Sequence, residues 1–186
     1  MNIDQFWDTI SDSAKKSKDF EGIALCLVNK LATLDLKDIA LWGNIFIEYW
    51  NLSYKSKLWA AAYVIEGGCS DDAFMDFRAG LITLGKKVYM NALADPDSLA
   101  DLDIDCFSHE MLNYVGKDAY NKKINYQGND WAGFEKQMEI HPLSEQFKST
   151  IVSEITYAED IDAEWGGAIT DDELQALVPR LCRKYS

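Results

Sequence analysis

The sequence predicts an all-α fold: a single compact multi-helix domain of about seven to nine helices, with a less regular acidic C-terminal part. Two observations carry this. Apolar residues recur at helical spacing through the first two-thirds of the chain, with capping residues before the stretches and glycines after them. A length of 186 residues with 48% hydrophobic composition also suits one domain with a well-packed core. The chain divides into a helical core over residues 1–125 and a C-terminal extension, 126–186, packed on it, with a final helix near 171–184.

The elements follow in order. Asn2 caps a first helix, with Gln5 at its third position and Ile3, Phe6, Trp7, Ile10 and Ala14 on one face. Asp19 opens a second, with Phe20, Ile23, Ala24, Leu27, Val28 and Leu31 inward. Asp35 caps a third, stapled by Leu34 and Ile39, whose stripe runs through Trp42, Phe46, Tyr49 and Trp50. Ser53 is expected to cap a fourth, carrying Leu58, Ala61, Ala62 and Ile65. Gly67-Gly68 stops that helix, and Ser70 caps the next, with Asp71 and Asp72 at the positive end of its dipole. Phe74, Phe77, Leu81 and Leu84 form its buried stripe, and Gly85 ends it.

A shorter helix spans Lys86 to Ala94. Asp95-Pro96-Asp97-Ser98 is a turn or a single helical turn. A helix from about Ser108 to Tyr120 is expected to bury Met111, Leu112, Val115 and Ala119. Beyond it, WAGFEKQM reads as a short helix, and Leu143, Phe147, Ile151 and Ile155 share one helical face, although TIVSEITY also has strand composition. Thr170 and Glu173 make a capping box for the last helix, bent or ended near Pro179.

Charge is uneven. Residues 1–94 hold 12 acids and 10 bases, a net of −2, whereas residues 95–186 hold 19 acids and 8 bases, a net of −11. Such a field repels phosphate backbones and attracts basic surfaces, so no nucleic-acid partner is expected and a basic protein partner is. The start MNIDQFWD has neither a basic region nor an apolar run, and no stretch suits a membrane span; a cytoplasmic protein with no membrane association is expected. Cys26, Cys69, Cys106 and Cys182 are widely spaced, as reduced buried thiols would be.

No nucleophile elbow, zincin, P-loop or dinucleotide fingerprint is present. Asp101/Asp103/Asp105 resembles the opening of a calcium loop, but Cys106 stands where glycine is needed and Leu112 where a bidentate glutamate is needed. The same test from Asp160 meets Trp165 at the glycine position. No metal or cofactor site is predicted. Cys106 and His109 share a helical face at i, i+3, a spacing common by chance.

WAAAYVIEGGCSDDAFMDFRAGLITLGKKVYMNALADPDSLAD resembles the central block of a bacterial family, domain of unknown function 4240. FWDTI, the stretch ending in KDAY and the closing DDELQALVPRLCRKY are similar to other parts of that family. The resemblance covers residues 1–125 well and the tail loosely, and residues 126–165 depart from it. It implies an all-helical bacterial domain and supplies no activity.

Two functional expectations result. The first is an acidic protein-binding module, in concrete form an immunity protein neutralising a basic antibacterial nuclease toxin. Its partner-binding residues would be Asp101, Asp103, Asp105, Glu159, Asp160, Asp162 and Glu164, with Trp165 as aromatic anchor. The second is a small-ligand or enzymatic domain at the Gly67–Arg78 corner, where Asp71, Asp72 and Arg78 would converge with Trp59 or Tyr63. There, Arg78 serves either as an anion contact or in a buried bridge to Asp71 or Asp72.

Overall fold

The computed structural model describes residues 1–103, 107–161 and 169–185. Among these, every regular element is helical: α1 (Ile3–Ala14), α2 (Phe20–Leu31), α3 (Leu36–Leu52), α4 (Ser56–Ile65), α5 (Asp71–Thr83), α6 (Lys86–Ala94), α7 (Val115–Lys123), α8 (Trp131–Ile140), α9 (Glu145–Ser153), α10 (Asp171–Leu177) and α11 (Pro179–Tyr185), with 3-10 turns at Pro96–Asp101 and Glu110–Tyr114. The helices form one compact domain. Among the described residues the count exceeds the expected seven to nine; one source is Pro179, where the single last helix expected near 171–184 divides into α10 and α11.

The local caps form as the sequence implies. Asn2 and Gln5 close a reciprocal box at α1, and Thr170 and Glu173 do the same at α10. Asp19, Asp35 and Ser70 each accept from the amide three residues on. Two expectations fail. Ser53 does not cap α4; it ends α3, its hydroxyl donating to the Trp50 carbonyl (2.9 Å), and Lys55 starts α4 without a side-chain cap. The Ser108–Tyr120 helix is instead a 3-10 turn followed by α7, a change of pitch that leaves Met111 38% exposed.

The core is built around aromatic side chains of α1, α3 and α6. Tyr49 stacks on Phe6 with centroids 5.6 Å apart and lies 4.8 Å from Trp7 and 5.3 Å from Tyr89. Their polar tips are satisfied internally. The Trp7 indole donates to the Tyr49 hydroxyl (3.2 Å), the Trp42 indole to Thr9 Oγ1 (2.9 Å), and the Tyr89 hydroxyl to the Tyr49 carbonyl (2.6 Å). Burial pushes the Tyr49 phenol up to about 12. Gly80 on α5 is required by close approach: a Cβ there would stand 1.9 Å from the Phe107 carbonyl oxygen.

The C-terminal helices attach in two places. α8 crosses α3 and α7, and α9 rests on α3. α10 and α11 pack on α4, and α11 also on the Pro96–Asp101 turn. There the buried Asp97 carboxylate accepts the amides of Arg180 (3.0 Å) and Leu181 (2.9 Å). Pro179 occupies the first position of α11, where its missing N–H costs nothing, and Asp97 satisfies the next two amides from 83 residues away in sequence.

Candidate functional site: an acidic aromatic cleft

The Gly67–Arg78 corner is structural at most of its positions. Gly67 (φ +66°) and Gly68 (φ +125°) supply left-handed backbone after α4, and Ser70 restarts the helix. Asp71 is exposed and accepts the Tyr54 hydroxyl (3.0 Å). Trp59 is buried, stacked on Phe74 at 4.8 Å, with its indole donating to the Cys69 carbonyl (2.9 Å). Tyr63 is 37% exposed.

Arg78 makes no bridge to Asp71 or Asp72. It is 1% exposed and makes no ion pair with any described residue. Its guanidinium lies 3.7 Å over the Trp50 ring, 4.7 Å over Tyr54 and 5.0 Å over Phe74. It donates to the carbonyls of Trp50 (2.8 Å) and Phe74 (3.2 Å), and burial lowers its pKa to about 10. The side chain thus ties the C-terminal end of α3 to α5 and fixes the plane of Trp50.

Asp72, the remaining carboxylate of that corner, faces a different feature. Between α3, α5, the Glu110–Tyr114 turn, α7 and α8 lies a cleft of about 690 Å³, within the size range of ligand sites. Trp42, Phe46, Trp50, Tyr114, Trp131 and Phe134 supply aromatic surface, and Ile47, Met75 and Met138 add flexible apolar surface. The ionisable side chains, tyrosine aside, are four carboxylates: Asp72, Asp76, Glu110 and Glu135. No basic side chain lines the cleft among the described residues, and none of the four acids is in an ion pair with a described residue.

The four acids differ. Asp72, Glu110 and Glu135 are exposed, and Glu110 accepts the Tyr114 hydroxyl at 2.6 Å, which raises that phenol's pKa. Asp76 is half-buried and accepts from the Asn113 side chain at 2.7 Å. Burial, with the negative charges of Glu110 and Asp72 added, holds the Asp76 carboxyl above its ordinary range. Among the described residues no group of His, Cys, Asp or Glu is arranged to hold a metal ion.

α8 forms one wall because α3 and α7 each offer a glycine to it. A Cβ on Gly43 would lie 2.7 Å, and on Gly116 2.8 Å, from the tip of the Phe134 ring. Asn44 then caps the far end of α8, its amide donating to the carbonyls of Met138 (3.0 Å) and His141 (2.9 Å). On α7, Lys117 sits 5.0 Å from the Tyr114 ring and 5.2 Å from Trp131 while pairing with Asp118 at 2.8 Å. Two aromatic surfaces of the cleft are therefore held in place by internal cations, Arg78 and Lys117, neither of which lines it.

Of the predicted partner-binding acids, Asp101 pairs with Arg180. Asp160 accepts the amides of Lys57 (2.9 Å) and Ile161 (3.1 Å), and so fastens its segment to the start of α4. Asp103 and Glu159 are exposed. Asp105, Asp162, Glu164 and Trp165 lie outside the described residues, as does Cys106. His109, which precedes the 3-10 turn, lies 4.8 Å from the Phe20 ring. Sequence reasoning missed Asp76, Glu110, Asn113 and the α8 wall. The available signal was a glycine at mid-helix in α3 and another at the start of α7, each marking a close approach.

Fold and cleft together define a small protein, all-helical among the described residues, with an acidic, aromatic cleft, and no described helix is long and apolar enough to cross a membrane. The chain belongs to the family described as protein of unknown function (DUF4240), whose sequence model matches residues 1–122. No curated protein and no solved structure matches the chain. The family match ends inside α7, so the α8 wall of the cleft lies outside it.

Proposed function

We propose that this protein is an acidic binding module for a basic protein partner, with neutralisation of a basic antibacterial nuclease toxin as the concrete form. One observation carries the reading: the cleft joins aromatic and thioether surface to four carboxylates and, among the described residues, no basic side chain. A phosphate-gripping protein presents lysine and arginine, and a concave acidic surface both attracts such a face and shields it from its substrate. The excess of acids over bases beyond residue 94 adds long-range attraction of the same sign. Exposed Asp103 and Glu159 fit a steering role, whereas Asp101 and Asp160 already serve internal contacts.

The test is association kinetics with a basic partner recovered from the native host. The association rate should fall steeply as salt rises and the dissociation rate change far less. A rate indifferent to ionic strength would remove electrostatic capture as the basis of binding.

A further inference from the structure

We infer that the cleft is an anchoring socket for a single arginine or lysine side chain of the partner, its apolar stem against Met75 and Trp131 and its charged head at Asp76. The inference rests on the reading of the protein as a binder of basic proteins and names the point at which it grips.

The socket is asymmetric in a way that selects such a group. Its exposed acids, Asp72, Glu110 and Glu135, have water to solvate them, so each adds little by itself. Asp76 is different. It is half-buried, near other negative charges, and among the described residues has one neutral donor, Asn113. A cation reaching it replaces lost hydration and relieves repulsion from Glu110 and Asp72, so the gain on binding concentrates there. The surrounding rings offer the faces on which an alkyl stem or a guanidinium plane lies. This chain already packs one guanidinium in that manner, Arg78 on Trp50.

Apolar side chains at the mouth favour a protein over a free amine. Ile47 is 44% exposed and Met75 37% exposed, and both line the cleft. A small amine bound within would leave them wet, whereas a protruding loop that delivers a basic side chain would cover them and exclude water from the ion pair. The cleft volume of about 690 Å³ is larger than one side chain needs and leaves room for the adjoining backbone.

Tryptophan emission reports on the site because Trp50 and Trp131 line it. The probes are acetyl-Leu-Arg-Leu-amide, acetyl-Leu-Lys-Leu-amide, the citrulline and norleucine analogues of these, and benzylammonium. The basic peptides should bind about tenfold more tightly than their neutral analogues, and Asp76→Asn should erase that difference. Glu139→Gln, at an exposed position of α8 outside the cleft lining, should change it less than about twofold. Circular dichroism and the thermal midpoint establish that both variants fold. Equal binding of citrulline and arginine peptides would overturn the charge assignment. Absence of peptide binding, or tighter binding of benzylammonium than of either peptide, would overturn the socket as a protein anchor. A basic partner whose affinity is untouched by Asp76→Asn would overturn the socket while leaving the binding module standing. Basic peptides that bind at Asp76 with no salt-dependent partner would uphold the socket chemistry and remove the partner reading.

Discussion

The family-matched core and the C-terminal helices are held by different means. In the core, buried side chains from at least six helices touch one another, and the polar tips of Trp7, Trp42 and Tyr89 are consumed inside the cluster. In the C-terminal part, the buried apolar side chains among the described residues are Phe134, Ile151, Leu174, Val178 and Leu181. Discrete ties supplement them: Phe134 between two glycines, Asn44 capping α8, and Asp97 capping α11. The cleft lies on the seam. Its α3 and α5 walls inherit the stiffness of the core, whereas its α8 wall depends on a few contacts and is the wall able to yield.

Two glycine substitutions separate these regimes with the largest expected effect. Gly80→Ala drives a methyl group into the Phe107 carbonyl, a backbone atom pinned in turn by the Phe107 amide's bond to Glu66 (2.8 Å). It should destabilise the whole domain by about 3 kcal/mol or more, read from denaturant melts. For Gly43→Ala the atoms nearest the new methyl are the end of the Phe134 ring and the Met138 sulfur, both on α8. Higher helix propensity offsets part of that clash, by about 1 kcal/mol. Global stability should change little, while amide exchange accelerates in α8 alone. Equal global losses in the two variants would show that the seam is as rigid as the core.

Phe134→Ala asks the same of α8 from the other side. Removing a buried ring costs about 3 kcal/mol, most of it registered as loss of α8 protection and loss of the cleft's far wall. Asp97→Ala addresses the second attachment. It strips the acceptor from the first free amides of α11 and should cost about 2 kcal/mol, with exchange rising in α11 before α4. Asp97→Asn, which keeps an acceptor without the charge, should recover about half of that loss. Recovery of none would place the interaction in the charge rather than the cap.

Much of the fold was legible because its signals are local. A cap and its amide are three residues apart, so Asn2, Asp19, Asp35, Ser70 and Thr170 announce their helices from sequence alone. Ser53 misled because serine at a helix boundary serves either end, and the break between α3 and α4 spans only three residues. The Asp97 cap was hidden for the opposite reason: its partners are at Arg180 and Leu181, and no local pattern connects them. The cleft was hidden in the same way. Trp42 and Phe46 read as core, and both are buried; that their edges form the floor of a cavity follows only once α8 crosses α3. The acid-rich loops drew notice through their composition, whereas Asp76 sits in an unremarkable DFRAG stretch and acquires its character from Asn113, Glu110 and burial.

The smallest effect has the opposite sign and bears on why Asp76 is a carboxylate at all. Its pKa is raised in the folded chain, first by burial, then by Glu110, with Asp72 adding to the shift and Asn113 and His109 opposing it. Between the unfolded value, about 3.9, and the raised folded value, the folded state therefore holds more proton than the unfolded one. Stability attributable to this group falls as pH rises through that window, and the full deficit persists at neutral pH. Asp76→Asn should accordingly raise the thermal midpoint slightly at pH 7, with the difference shrinking as pH falls through that window and gone below about 3.9. A core carboxylate that only served Asn113 as an acceptor would behave in the reverse way: its replacement would lower the midpoint at neutral pH, and that loss would fade as acid protonates the carboxylate. A gain at neutral pH, paired with loss of basic-peptide binding, would mean that the chain tolerates an uncompensated charge in the wall of its cleft because a cation from outside completes it.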